Sequence, residues 1–240
     1  MISILIPVHN RALFIGACVE SALAQTYPDF EIVIVDNAST DSTWEICQSL
    51  SARDKRIRTF RNESNIGPVR NWKRCIDEAR GETGKILFSD DLIAPSFLEK
   101  TVPFLDDPSV GLVLTAANVD GRIEYLLSGR SGKLPRWTCL RHMMFNGRLP
   151  VSPGAALFRM ADLRRNLFVD FGHNGIGPDL LLLLLTAASR PFVAHVAEPL
   201  AIFHDHEGSI SRQHKSQLTR GYASARLWFW LFSIARLIHT

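Results

Sequence analysis

Cysteine is scarce in this chain, and the four present, Cys18, Cys47, Cys75 and Cys139, lie far apart with no CxxC spacing. That excludes a cysteine-built zinc site and a disulfide scaffold. Three of the four fall at apolar positions of expected helices, where a reduced thiol packs as a small hydrophobe. A reducing cytoplasm is the compartment this implies. Long hydrophobic runs are missing as well. A spanning helix needs ~20 apolar residues, and Leu180–Leu185 is a run of six leucines. The apolar start Met1-Ile2-Ser3-Ile4-Leu5-Ile6-Pro7 is short and lacks the basic residues that open a signal peptide. Charge of one sign is missing too. The formal charge is +3, with Lys and Arg scattered apart from Arg53–Arg61 and Arg159–Arg165, so no nucleic-acid partner is expected. There is no internal repeat, no low-complexity linker, and no GxGxxG after the first apolar run, which leaves out the dinucleotide fingerprint.

What is present is an ordinary folded composition. The 240 residues are 46% hydrophobic and 21% charged, enough for one large α/β domain. Strand and helix patterns alternate through the first half. Ile2–Ile6, Glu31–Val35, Ile57–Phe60 and Lys85–Phe88 read as short apolar strands. Ala12–Ala24, Ser42–Ser51 and a segment opening at Pro68 read as helices. Ser42 and Glu45 have the spacing of a capping box. Further on, Ser96–Leu105 reads as a helix, Val110–Thr115 as a strand, Asn118–Arg136 as a loop or hairpin, and Ala155–Arg159 as a strand. Pro178–Ser189 reads as an apolar helix, and Phe192–Val196 and Pro199–Phe203 as two strands. This order predicts a mostly parallel sheet covered by helices. Such sheets bind ligands at the carboxyl ends of their strands. The polar loops Pro7–Arg11, Asp36–Asp41, Asn62–Gly67 and Asp90–Asp91 all fall there and gather on one rim.

Ile86-Leu87-Phe88-Ser89-Asp90-Asp91-Leu92 is the most informative of these segments. Three apolar residues run straight into two adjacent carboxylates, which repel and resist desolvation unless a positive charge sits beside them. At the end of a central strand, a divalent cation holding a phosphate serves that purpose. A solvated turn that happens to hold two Asp is the plain alternative.

Six segments in order make the chain resemble the family 2 glycosyltransferases, inverting enzymes of GT-A fold. They are Ile4–Arg11, Val33–Asp41, Asn65–Trp72, Ser89–Asp91, Pro178–Asp179 and His206–Ser211. The resemblance implies a GT-A-like three-layer α/β/α sandwich with a mostly parallel central sheet. It divides the chain into a nucleotide-sugar-binding half (1–115), an acceptor-binding half of the same domain (116–212) and an apolar C-terminal helical tail (213–240). It also implies roles. Asp36 receives hydrogen bonds from a nucleotide base or sugar, and otherwise forms an Asx turn. Pro7 and His9 shape the loop beneath the base. Asn65 and Arg70 hold ribose or base, while Asn71 bonds a neighbouring loop. Asp90 and Asp91 match the family's acidic motif, commonly Asp-x-Asp. Phe88 or Ser89 stands where the first Asp would be, so the metal is assigned to the pair, with Asp90 also near the ribose. Hard oxygen ligands favour Mg²⁺ or Mn²⁺. His206 reaches the metal or diphosphate, whereas His204 is a surface residue. Asp179 is the expected base, with a helix-start carboxylate as its alternative reading. Asp170, Asp205 and Glu207 are the other acids of that half.

The expected activity is transfer of a sugar from a nucleotide diphosphate sugar, a UDP-sugar foremost, to a hydroxyl of a glycan or lipid-linked glycan. A catalytically silent nucleotide- or glycan-binding module of the same fold is the rival from another class. A nucleotidyltransferase is the rival enzyme, but Pro7–Arg11 lacks its Gly-rich basic loop. Leu227–Ile238 is apolar and aromatic, bracketed by Arg226 and Arg236. It suits a membrane-surface or oligomer contact, giving a cytoplasmic protein peripheral on the inner face of the membrane.

Overall fold

The computed structural model describes residues 1–124, 127, 129–145, 152–168, 170–171, 176–204, 206, 209, 212 and 215–238, with side chains from 217 to 233 in the last segment. Strands β1 (Ile2–Val8), β2 (Phe30–Asp36), β3 (Ile57–Arg61) and β4 (Thr83–Ile86) alternate with helices α1 (Ile15–Leu23), α2 (Thr43–Arg53) and α3 (Pro68–Glu78). They pair in parallel in the order β3-β2-β1-β4. After them come β5 (Leu92–Ile93), α4 (Phe97–Thr101), which tightens into a 3-10 turn to Asp106, and β6 (Val110–Val119). Then follow β7 (Arg122–Glu124), β8 (Gly132–Pro135), α5 (Arg136–Phe145), β9 (Ala156–Arg159) and α6 (Met160–Asn166). The last elements are α7 (Pro178–Ala188), β10 (Phe192–Phe203) and α8 (Lys215–Ile238). The sheet continues from β4 through β9, β6 and β10 to β5, with β7 on β6 and β8 on β10.

Two antiparallel steps decide where the strand ends fall. β9 runs against both β4 and β6, so β6 points the same way as β4. β10 is parallel to β6. The carboxyl ends of β1, β2, β3, β4, β6 and β10 therefore share one edge. Parallel ladders carry most of the paired residues.

The core follows from period-2 alternation with both faces apolar, the signature of a covered sheet. Ile4, Ile6, Ile32 and Ile34 pack on one side with α1, α2 and α4. Leu5, Val33 and Val35 pack on the other with α3, α5, α6, α7 and α8. All four cysteines are free and buried, in α1, α2, α3 and α5.

The structure revises several sequence-based boundaries. β1 extends through Pro7, opposite Val35, to Val8, so the loop begins at His9. β4 stops at Ile86, with one further backbone bond from Leu87 N–H to the Leu5 carbonyl at 2.9 Å. The segment from Phe192 to Phe203 is one strand, kinked by register shifts around Pro199, which has no N–H to give the ladder. Asn118–Arg136 contributes β7 and β8. The Ser42–Glu45 capping box does not form, since the Ser42 side chain accepts no helix N–H; Asp41 instead accepts the Thr43 N–H at 3.1 Å and the Thr43 hydroxyl at 2.5 Å.

Candidate active site

Two backbone turns build the first wall. Leaving β1, Asn10 takes φ +51°, and leaving β2, Ala38 takes φ +56°. A left-handed Ala costs about 1 kcal/mol or more, so neighbouring bonds must hold it. Asn10 N–H donates to Ser39 Oγ at 2.9 Å, Thr40 N–H to Asn10 Oδ1 at 2.9 Å, and Arg11 N–H to Thr43 Oγ1 at 2.8 Å. The loops after β1 and β2 are thus stitched into one surface.

Asp36, the last residue of β2, is completely buried. Its Oδ2 accepts the Ser39 N–H at 3.1 Å and lies 3.2 Å from Arg61 Nε. Among the described residues, its Oδ1 is buried without a hydrogen-bond partner, and so is His9 Nδ1. A buried polar atom left unpaired costs about 1–3 kcal/mol, and these two stand at the carboxyl ends of β1 and β2, the edge where such sheets bind ligands. His9 Nε2 meets Asn65 Nδ2 at 3.2 Å, and Asn65 Oδ1 accepts from Asn37 Nδ2 at 2.8 Å. Asn37 Oδ1 in turn accepts from Ile66 N–H at 3.0 Å and Asn62 Nδ2 at 2.9 Å. Asn71 accepts from Asn62 at 2.9 Å and donates to the Val35 carbonyl at 3.0 Å. This asparagine network ties the β3–α3 loop to the other two. Arg70 lies outside it. The guanidinium pairs with Asp170 at 2.9 Å over an open groove shared with Ile66, Lys73, Arg74 and Asp77.

The acidic pair forms the second wall. Asp91 N–H donates to the Phe88 carbonyl at 3.0 Å, closing a tight turn after β4. Asp90 Oδ2 accepts from Arg11 Nε at 3.2 Å and lies 3.1 Å from His206 Nε2. Phe14 stacks on the His206 ring, centroids 4.5 Å apart. The β1 loop, the acidic turn and the chain leaving β10 therefore meet at Asp90. Asp91 turns inward. Burial, then the charge of Asp90, pushes its pKa well above the usual carboxylate range, against the opposing pull of Lys85 and the His204 N–H. Lys85 is itself fully buried in β4, donates to the Gly154 carbonyl and holds its ammonium 4.4 Å from the Phe97 ring centre. Burial lowers its pKa to about 7. Burial also raises the Cys18 thiol, reinforced by Asp91 and Asp90, so it is no nucleophile.

Among the described residues, no three His, Cys, Asp or Glu side chains gather closely enough to enclose a metal ion. The donors present still suit a Mg²⁺-type ion, which binds through one or two carboxylates and completes its shell with water and substrate phosphates. Two adjacent carboxylates, one of them held above its normal pKa by burial and its neighbour, are a set whose charge such an ion would balance.

Asp179 opens α7. That helix ends at Ala188, shortly before β10 starts at the amino edge, so its first turn faces back toward the carboxyl edge. The carboxylate is half-buried, with Oδ1 accepting the Gly177 N–H at 2.9 Å and Oδ2 accepting the Tyr222 hydroxyl at 3.1 Å. Burial raises its pKa to about 6 despite these bonds. Asp205 and Glu207 lie outside the described residues. Arg11, Phe14, Arg61, Lys85 and Tyr222 complete the picture without having been singled out. A Lys inside the apolar Gly84–Phe88 run was the one visible signal, because a lysine there must be paired.

The sequence matches the family model described as Glycosyl transferase family 2 over residues 3–167. It is 32% identical over 114 residues to the glycosyltransferase GlyG of Streptococcus pneumoniae, covering 48% of this chain and 38% of that protein. It is also 32% identical over 115 residues to the putative teichuronic acid biosynthesis glycosyltransferase TuaG of Bacillus subtilis, covering 48% and 46%. The matched segment thus spans less than half the length of these relatives. In structure, the chain is similar to S. aureus TarS 1-349 in complex with UDP-GlcNAc, with TM-score 0.71, 22% identity, and 87% and 59% coverage. It is also similar to the mannosyltransferase PcManGT of Pyrobaculum calidifontis in complex with GDP-Man and Mn2+, with TM-score 0.67, 20% identity, and 100% and 64% coverage. The shared fold is GT-A.

Proposed function

Because the chain belongs to glycosyl transferase family 2, we propose that its carboxyl-edge cleft transfers a sugar from a UDP-sugar to a hydroxyl of a glycan or lipid-linked glycan, with inversion. Residues 1–115 hold the donor and residues 116–212 face the acceptor. The observation that carries this reading is the pair of buried, unpartnered atoms Asp36 Oδ1 and His9 Nδ1 on two loops locked together. A pyrimidine base offers donor and acceptor groups to match. Asn65 orients His9 and reaches the ribose side, Pro7 sets the floor of the loop, and Arg70 closes the outer rim toward Asp170.

Asp90, Asp91 and His206 would hold Mn²⁺ or Mg²⁺, whose chemistry is to neutralise the departing diphosphate as a Lewis acid. Arg11, already 3.2 Å from Asp90, adds a fixed positive charge on the same side. Asp179 takes the proton from the acceptor hydroxyl as that oxygen attacks the anomeric carbon. A base with its pKa near 6 is mostly ionised at neutral pH yet retains proton affinity, the balance general-base catalysis requires. The products are a nucleoside diphosphate and an inverted glycosidic bond. The setting is the cytoplasmic side of the membrane.

Thermal shift with UDP, UDP-sugars and GDP-mannose, with and without Mn²⁺, tests the donor assignment. UDP and at least one UDP-sugar should raise Tm, more so with Mn²⁺, and Asp36→Ala should remove the shift. A protein whose Tm no nucleotide moves does not bind donors in this cleft.

A further inference from the structure

The two sides of α8 differ. Inward, Ala225 and Phe229 are buried in the main core, and Trp228 stacks on Phe232 and tilts against Phe168 and Phe171. Outward, Arg220, Ala223, Ser224, Leu227, Trp230 and Leu231 repeat at helical spacing and are all exposed. Leu227 is 58%, Trp230 54% and Leu231 52% open to solvent. Three large apolar side chains on one turn and a half of helix form a face that water does not favour. Arg226 donates from α8 to the Met143 carbonyl of α5, whose Phe145 is also exposed, at 78%.

Charge identifies the occupant. Residues 208–240 hold five Lys and Arg and no Asp or Glu, while the rest of the chain has twenty-two Lys and Arg against twenty-four acids. We propose that the outward face of α8 docks in the interfacial layer of an anionic lipid membrane. An indole at the headgroup level, aliphatic side chains below it and cations around it are what that layer binds. A second copy of the chain would instead bring two acid-free cationic helices together and place like charges side by side. Among the described residues, no helix is long and apolar enough to cross a membrane, so the helix lies on the surface. The docking stands apart from the donor cleft, but the inner side of the same helix bonds Asp179 through Tyr222. A docked α8 thus sets the catalytic edge close to acceptors carried in the bilayer.

Vesicle co-sedimentation of the full chain tests this. With mixed phosphatidylglycerol–phosphatidylcholine vesicles the wild type should partition about tenfold or more above phosphatidylcholine alone, and high salt should weaken the binding. The triple variant Leu227→Ser, Trp230→Ser and Leu231→Ser should lose about tenfold or more in partition while its UDP-induced Tm shift stays as in wild type. Trp230→Gln, a single exposed change, gives the same direction should the triple variant fold poorly. Equal partition of wild type and variants, no wild-type partition, or a wild-type dimer abolished by the substitutions would each overturn the proposal.

Discussion

At the scale of the residue, Asp179 meets two opposing demands. Burial holds its proton up to about pH 6, while Gly177 N–H and the Tyr222 hydroxyl favour the ionised form. Transfer should therefore fall as pH drops through about 6, when the proposed base becomes protonated. Asp179→Asn keeps the size and the acceptor oxygen but not the basicity. It should lower kcat by ~10²–10⁴ and leave donor Kd within about twofold. The same change should stabilise the fold. The folded pKa lies above the ~3.9 of an unfolded Asp, so the folded state holds the proton more tightly, and the cost to the fold builds as pH rises from about 4 and is complete above about 6. The variant should gain up to about 3 kcal/mol at pH 7. That gain should shrink on acidification through about 6 and vanish near pH 4, as read by urea unfolding at several pH values. A variant with wild-type kcat would leave Asp179 as a helix-start carboxylate. Some of this chemistry was legible and some was not. Asp36 and Asp90 could be placed because strand ends are visible in the sequence. The pairing of Asp90 with Arg11 could not, because it depends on how the β1 loop folds onto the acidic turn.

At the scale of the element, the close crossing of α8 over the loop before α7 controls that carboxylate. Gly177 has φ +98°, and a Cβ there would meet the Gly221 carbonyl at 3.0 Å. A Cβ on Gly221 would sit 2.5 Å from Ile176 Cγ2 and 3.2 Å from the Ile176 carbonyl. Gly221→Ala should therefore push α8 outward, cost about 1–3 kcal/mol and lower kcat together with Tm as Tyr222 leaves Asp179. If kcat holds while Tm falls, the crossing supports the fold but not the base. Helices and parallel strands were legible from apolar period and from Pro68 at a helix start. β10 was harder to see, because Ala197-Glu198-Pro199 interrupts its alternation and the bulges there leave the strand whole. α8 was legible as apolar. Its inward side was not, since Trp228 and Phe229 pack against residues far away in sequence.

At the scale of the molecule, one topological fact assembles the site. β9 inserts against β4 and β6, so β10 returns parallel to the first four strands and delivers His206 to the edge where Asp36 and Asp90 lie. A parallel-rich sheet, its polar rim and a strand near Ala155–Arg159 follow from the sequence pattern, but the antiparallel direction of that short β9 does not, because four residues carry no reliable direction. Inverting sugar transfer at this edge is the proposal on which the site's other roles depend. It is tested most directly by proton NMR of the full chain with an α-linked UDP-sugar and Mn²⁺, water serving as slow acceptor. UDP should be released with the β-anomer of the free sugar appearing first, and both signals should be lost in Asp179→Asn. Release of the α-anomer first, or no release of UDP by the wild type, would contradict the proposal.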